Sequence, residues 1–232
     1  MSLRLWALVY SKEDLTRNVQ SFKNESTTKL IVRLALLAVN LFNVWYVIHL
    51  YEPYRLMMFF TNWTLLITCL YFMLVILAAN TKRMGLLALH HIIFEISFMM
   101  NLIVVTVFWT VIYKDALAEC NGHQGKINNV YLAHIGPGVS VLINWLQTDV
   151  VIRAAHVKMV VVIAILYGYV NYCEVKKLGK PLYWFLTWED ETSYYIYAAL
   201  ILVFTGVWFL LASFTLMIKP RPCSTTEQDG PP

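Results

Sequence analysis

The chain has 232 residues, of which 59% are hydrophobic and 14% charged, whereas a soluble domain is about half apolar and about a quarter charged. With a mean hydropathy of +0.59 and only four cysteines, this composition excludes a water-soluble globule, a disordered chain and a disulfide scaffold. The net charge of +4 is the modest excess of basic cytosolic loops, so membrane lipids are the expected partners and nucleic acid is not.

Crossing about 30 Å of hydrocarbon takes about 20 mainly apolar helical residues, and six runs of that kind follow one another along the chain. They cover residues 29–50, 56–79, 90–113, 128–152, 157–173 and 194–218. The fourth is interrupted by Gly136, Pro137 and Gly138 and carries His134 and Asp149, while the fifth is short. The expectation is an all-α polytopic membrane protein with six transmembrane helices. An even number of spans puts both termini on one side, and ten lysines and arginines there against six opposite point to the cytosol. Residues 1–28 read as a cytosolic N-terminal segment with no cleavage site, 29–219 as a single transmembrane domain and 220–232 as a disordered cytosolic tail. The plasma membrane or the endoplasmic reticulum is the expected location. On this topology Cys120 and Cys173 share the non-cytosolic side, where a disulfide and two unpaired thiols both fit. The sequons at Asn24 and Asn62 fall in the cytosol and in the membrane, and neither is expected to carry sugar.

Ionisable groups at membrane depth are costly and count as functional candidates. The second and fourth spans both enter from the non-cytosolic side, which places Thr61 and His134 roughly 8 to 9 Å deep in the same leaflet. A threonine hydroxyl attacks a carbonyl only when a base takes its proton, and histidine is the side chain suited to that near neutrality. Pro137 has no amide proton to offer the Ala133 carbonyl, so it loosens the helix beside His134. Asn62 or a backbone amide near Gly136 is a candidate oxyanion donor, and His49 is a candidate to orient His134. The bland alternative is a threonine bonded to its own helix and a Gly-Pro-Gly packing kink. This chemistry calls for no cofactor.

A second cluster lies at the cytosolic end: His90, His91 and Glu95 open the third span, Asp149 and Arg153 close the fourth, and His156 precedes the fifth. His91 and Glu95 share a helix face and, with Asp149 or His156, offer a candidate metal site; pairing with basic groups or histidines is the alternative. No phosphate loop, Gly-x-Ser-x-Gly elbow, Cys-x-x-Cys or His-Glu-x-x-His is present.

The six spans, the Phe60-Thr61-Asn62-Trp63 segment, the His134-Ile135-Gly136-Pro137 segment and the Pro181-Leu182-Tyr183-Trp184 segment together resemble the family that joins the androgen-induced membrane hydrolases to the rolling stone proteins. The resemblance covers about residues 29–219. It implies an intramembrane threonine nucleophile at Thr61 and a histidine base at His134, acting on lipid esters such as fatty acid esters of hydroxy fatty acids. The wording around both residues is closer to the rolling stone branch, which is known for myoblast fusion. That keeps a second expectation open, a non-catalytic multi-pass protein of adhesion or fusion, or an accessory subunit of a membrane complex. A small transporter is a third reading, and no inverted repeat supports it.

Overall fold

The structure is a computed structural model that describes residues 26–51, 53–81 and 83–219. The expected N-terminal segment, apart from its last three residues, the Asn24 sequon and the expected tail lie outside the described residues. Among the described residues there is no strand: α1 is Thr27–Leu50, α2 Phe60–Thr81, α3 Met84–Val107, α4 Tyr113–Glu119, α5 Gln124–Leu146, α6 Val157–Leu178 and α7 Glu191–Ile218. A 3₁₀ turn at Pro53–Met57 leads into α2, a π-helical turn at Phe108–Ile112 joins α3 to α4, and a 3₁₀ turn at Ala154–His156 leads into α6.

Five stretches are long and apolar enough to cross a membrane: α1, α2, α3 continued through α4, α6 with its leading turn, and α7. The chain is therefore an all-helical protein with the build of a multi-pass membrane protein. Helix α5 is the exception. Its 23 residues span about 35 Å at 1.5 Å per residue, so length suffices, but Gln124, Asn128, Asn129, His134 and Asn144 lower its apolar character. Those groups are tolerated because α5 packs against α1, α2 and α3, where Asn129 and Asn144 are buried and find protein around them instead of lipid.

Several boundaries differ from the sequence reading, and three of them have a clear local or tertiary reason. Helix α5 stops at Leu146 instead of reaching 152. Lys219 donates through Nζ to the Trp145 carbonyl at 2.6 Å and also to Thr148 O, the Trp145 indole donates to Val150 O at 3.0 Å, and Ile152 N–H donates to Thr215 Oγ1 at 3.0 Å. These bonds hold 147–153 as a non-helical connector. Helix α6 runs on past Cys173 to Leu178 and ends at Gly179, whose φ of 66° makes the left-handed cap that glycine adopts without strain. Helix α3 begins six residues before the expected 90, at Met84, because Leu87, buried one turn before His90 and His91, continues their face. Cys120 and Cys173 are both free, so the bridge is not formed. The Cys120 thiol instead donates to the Ala116 carbonyl one turn earlier at 3.2 Å.

The main core is built at the end where Ser26 and Lys219 lie. Tyr71, Phe72, Phe94, Met99, Trp145 and Trp208 are all buried there. At the other end the helices splay around a cavity, and the candidate site sits at the boundary between the two.

Candidate functional site

Thr61 is the second residue of α2 and His134 lies in the middle of α5. Because His134 is ten residues into its helix, about 15 Å from the start, the two residues do not sit at matching positions in their helices. They meet because α5 begins farther out than α2. Thr61 Oγ1 lies 3.2 Å from His134 Nε2. The other ring nitrogen, Nδ1, lies 2.7 Å from the Val130 carbonyl oxygen, and since a carbonyl only accepts, Nδ1 carries the proton. Nε2 is then the acceptor for the Thr61 hydroxyl, the tautomer a general base requires.

Phe108 fixes the ring plane. Its ring stacks on the His134 imidazole at a centroid separation of 3.6 Å and 16°. Phe108 is the first residue of the π turn, and such wide turns, which insert one extra residue into a helix, recur at functional sites. Pro137 is buried inside α5 and leaves the Ala133 carbonyl without its helical donor, on the same face as the site.

Thr61 is held as firmly. Thr61 stands in the first turn of α2, where backbone amides lack intrahelical acceptors. Phe60 N–H donates to the Tyr183 hydroxyl at 3.2 Å, and Tyr167 donates to Met58 O at 3.1 Å while lying 3.2 Å from the Tyr183 oxygen. The connector 179–190 between α6 and α7 is thereby tied to the start of α2. Burial pushes the Tyr183 phenol upward from its ordinary value, so it stays protonated in this network.

Thr61 and His134 open onto a cavity of about 530 Å³, within the range of small-molecule sites. Arg55, Asp115 and Glu119 stand at its outer end, and Val160, Val161, Ala164, Phe204 and Thr205 line its inner end. Asn129 also lines it; this side chain is 5% exposed and its Nδ2 makes no hydrogen bond to the protein.

The three supporting residues expected from the sequence are placed differently. Asn62 lines the cavity, but its Nδ2 donates to the Arg55 carbonyl at 3.2 Å and so closes the preceding turn. Gly136 faces away: it borders a shallow surface groove with Leu36, Val39 and Leu132, because two residues along a helix turn about 200° from His134. His49 is likewise turned out. It is exposed and stacks on Trp45 at 5.3 Å, while Val47 is the α1 residue that lines the cavity. The Val130 carbonyl, one turn before His134, does the orienting instead. That residue was legible in principle from i, i−4 spacing, but a backbone acceptor leaves no mark in side-chain chemistry.

The second cluster forms a closed junction. Glu95 is fully buried and accepts from the Arg153 backbone amide and from His156 Nδ1. His91 Nε2 lies 3.5 Å from the same carboxylate and 2.8 Å from the Val151 carbonyl. Asp149 is exposed on the connector. Among the described residues no three histidines, cysteines or carboxylates are grouped to hold a metal ion, so the cluster is a polar joint between α3 and the 147–156 connector.

Sequence reasoning passed over Arg33, which lies within α1 and is 1% exposed. Its Nε donates to Asn144 Oδ1 at 2.8 Å, Asn144 Nδ2 donates to the Tyr71 hydroxyl, and Tyr71 stacks on His90 at 5.8 Å. A single arginine near the start of an apolar run signals little by itself, since its partners come from α5 and α2. No family model, curated protein or solved structure matches the chain, so the geometry of the site carries the functional argument.

Proposed function

We propose that the chain is an intramembrane hydrolase of lipid esters, with Thr61 as nucleophile and His134 as base. The observation that carries this reading is the directed pair: Nδ1–H held by Val130 O at 2.7 Å, Nε2 facing the Thr61 hydroxyl at 3.2 Å, both on the wall of a cavity whose inner end is apolar. The same reading places α5 across the bilayer as the sixth span, with both termini cytosolic and the Thr61 end in the opposite leaflet of the plasma membrane or endoplasmic reticulum.

In the proposed reaction His134 Nε2 removes the Thr61 proton as Oγ1 bonds to the ester carbonyl carbon. The tetrahedral oxyanion is stabilised by the Thr61 backbone amide, the one amide of that turn not turned to Phe59 or Tyr183, and by the unbonded Nδ2 of Asn129. The carbon–oxygen ester bond breaks, and the alcohol leaves with the proton that His134 returns. A water deprotonated by His134 then attacks the acyl-threonine, releasing the acid and restoring Thr61. Val130 and Phe108 keep the imidazole aimed through both halves.

The test is labelling of the purified full-length protein with a fluorophosphonate probe, which reacts only with an activated hydroxyl. The expected result is labelling of wild type that disappears in Thr61→Ala and His134→Ala. A wild type that fails to label under conditions where a control hydrolase reacts would overturn the mechanism and favour the non-catalytic reading in adhesion, fusion or a larger complex.

A further inference from the structure

The inner end of the cavity has a definite depth. Tyr167 sits beside the nucleophile, its ring 4.9 Å from that of Phe60, and Val160 lines the cavity seven residues farther down α6, about 10 Å deeper at 1.5 Å per residue. On α7 the lining begins at Tyr197 and ends at Thr205, about 12 Å along the axis. Two helices thus stop the cavity at the same level. Its inner walls are aliphatic or aromatic, with Ile103 and Val107 from α3, Val160 and Ala164 from α6, and Ile201 and Phe204 from α7. Helices α3 and α7 both border this arm, and each of them packs with α6.

We infer that this arm is a linear acyl-chain site with a fixed floor, which sets the length of fatty acyl group delivered to Thr61, and that the chain enters sideways between α3 and α7. The inference rests on the lipid-ester reading for the chemistry at its outer end. An all-trans chain, with carbon–carbon bonds of ~1.5 Å at ~111°, advances about 1.25 Å per carbon, so an arm of about 10 to 12 Å holds about eight to ten carbons. The leaving alcohol then lies toward Arg55, Asp115 and Glu119, where the cavity is polar. A compact or branched substrate would leave the arm unfilled, and a charged one would find no partner in it.

The experiment is a series of saturated p-nitrophenyl esters, from two to sixteen acyl carbons, hydrolysed by the full-length protein in nanodiscs. Burying each methylene contributes about 0.8 kcal/mol, so kcat/KM is expected to rise about fourfold per carbon and to level off near eight to ten. Val160→Phe is expected to bring the break about three carbons earlier, while Val162→Phe, whose side chain faces outward at 52% exposure, leaves it in place. Thr205→Leu is a gentler block of the same floor, should the bulkier variant not fold. A rise with no break, or a break unmoved by both floor variants, would overturn the inference.

If no ester is hydrolysed the function proposed above fails, and the arm is judged by binding alone. Octanoic acid carrying a diazirine at its terminal carbon is then crosslinked to the Thr61→Ala protein and mapped by peptide mass spectrometry. Label at Val160, Val161 or Phe204 that excess octanoate removes supports the arm. Label confined to the outward residues Val162 and Leu202 means bilayer contact only and overturns it.

Discussion

The two ends of this protein solve the same problem in opposite ways. Each places histidines within the helical bundle, where a polar group needs a partner. Around Glu95 every partner is supplied by the fold itself: His156 Nδ1, the Arg153 amide and the neighbouring His91 fill the carboxylate, and His91 is further engaged by the Val151 carbonyl. Around Thr61 only one side of the histidine is closed. Val130 holds Nδ1 and Phe108 covers a ring face, while Nε2 and the hydroxyl face a cavity. Membrane depth makes any ionisable residue conspicuous, but access separates the two clusters. A satisfied group stitches helices together, and a satisfied group beside empty space has chemistry to offer.

That contrast predicts opposite phenotypes. The largest effect is expected from Thr61→Ala and His134→Ala, each lowering ester hydrolysis by about 10³-fold or more, with a thermal midpoint in detergent close to wild type. Near-normal turnover in either variant would erase the distinction between the ends. Glu95→Ala should do the reverse: removing one member of a buried ionic cluster costs about 3 to 5 kcal/mol, read as a clear loss of thermal stability, while the fraction that remains folded reacts with the fluorophosphonate at the normal rate. Asn129→Leu sharpens the cavity end. With Nδ2 acting as oxyanion donor, its loss should slow acylation about 10²-fold without loosening the fold, since Nδ2 has no protein partner to lose; an unchanged rate would leave the Thr61 amide as the sole donor. Gly136→Ala should do least. A Cβ there meets the flexible end of Leu132 at 3.3 Å, on the face away from the cavity, so turnover is unchanged and stability rises by up to about 1 kcal/mol from helix propensity. A marked loss of turnover would place Gly136 back in the site.

Much of this was readable from the chain. The apolar runs of α1, α2, α3 and α7 announce themselves because lipid-facing helices must be apolar on most sides, and Thr61 and His134 stand out as reactive types in such runs. The sequence conveys less where partners are distant. Helix α5 is polar because other helices cover it, its early end depends on Lys219 and Thr215 from α7, and Arg33 is held by Asn144, 111 residues away. Asn62, Gly136 and His49 are placed differently from the supporting roles expected of them, for a directional reason. Proximity in sequence to Thr61 or His134 says nothing about helix phase: Gly136 and His49 face away from the cavity, and the Asn62 amide is spent on the Arg55 carbonyl. The group that orients His134 is a main-chain carbonyl, invisible to any reading of side chains.

The wide turn at Phe108–Ile112 also sets the rotational phase of everything that follows it. The cavity-facing residues up to its first position are Ile103, Val104, Val107 and Phe108, and those from its last position on are Ile112, Asp115, Ala116 and Glu119. An unbroken α-helix gains 100° with each residue, and the single additional residue acts as a spacer that brings the charged outer portion back into register with the aliphatic inner portion. Deleting any one of those five positions would restore a regular helix and swing Asp115 and Glu119 by about 100°, leaving the Thr61 and His134 pair behind an entrance stripped of its carboxylates. The rim of the cavity is therefore specified by the number of residues in one turn as much as by their identity.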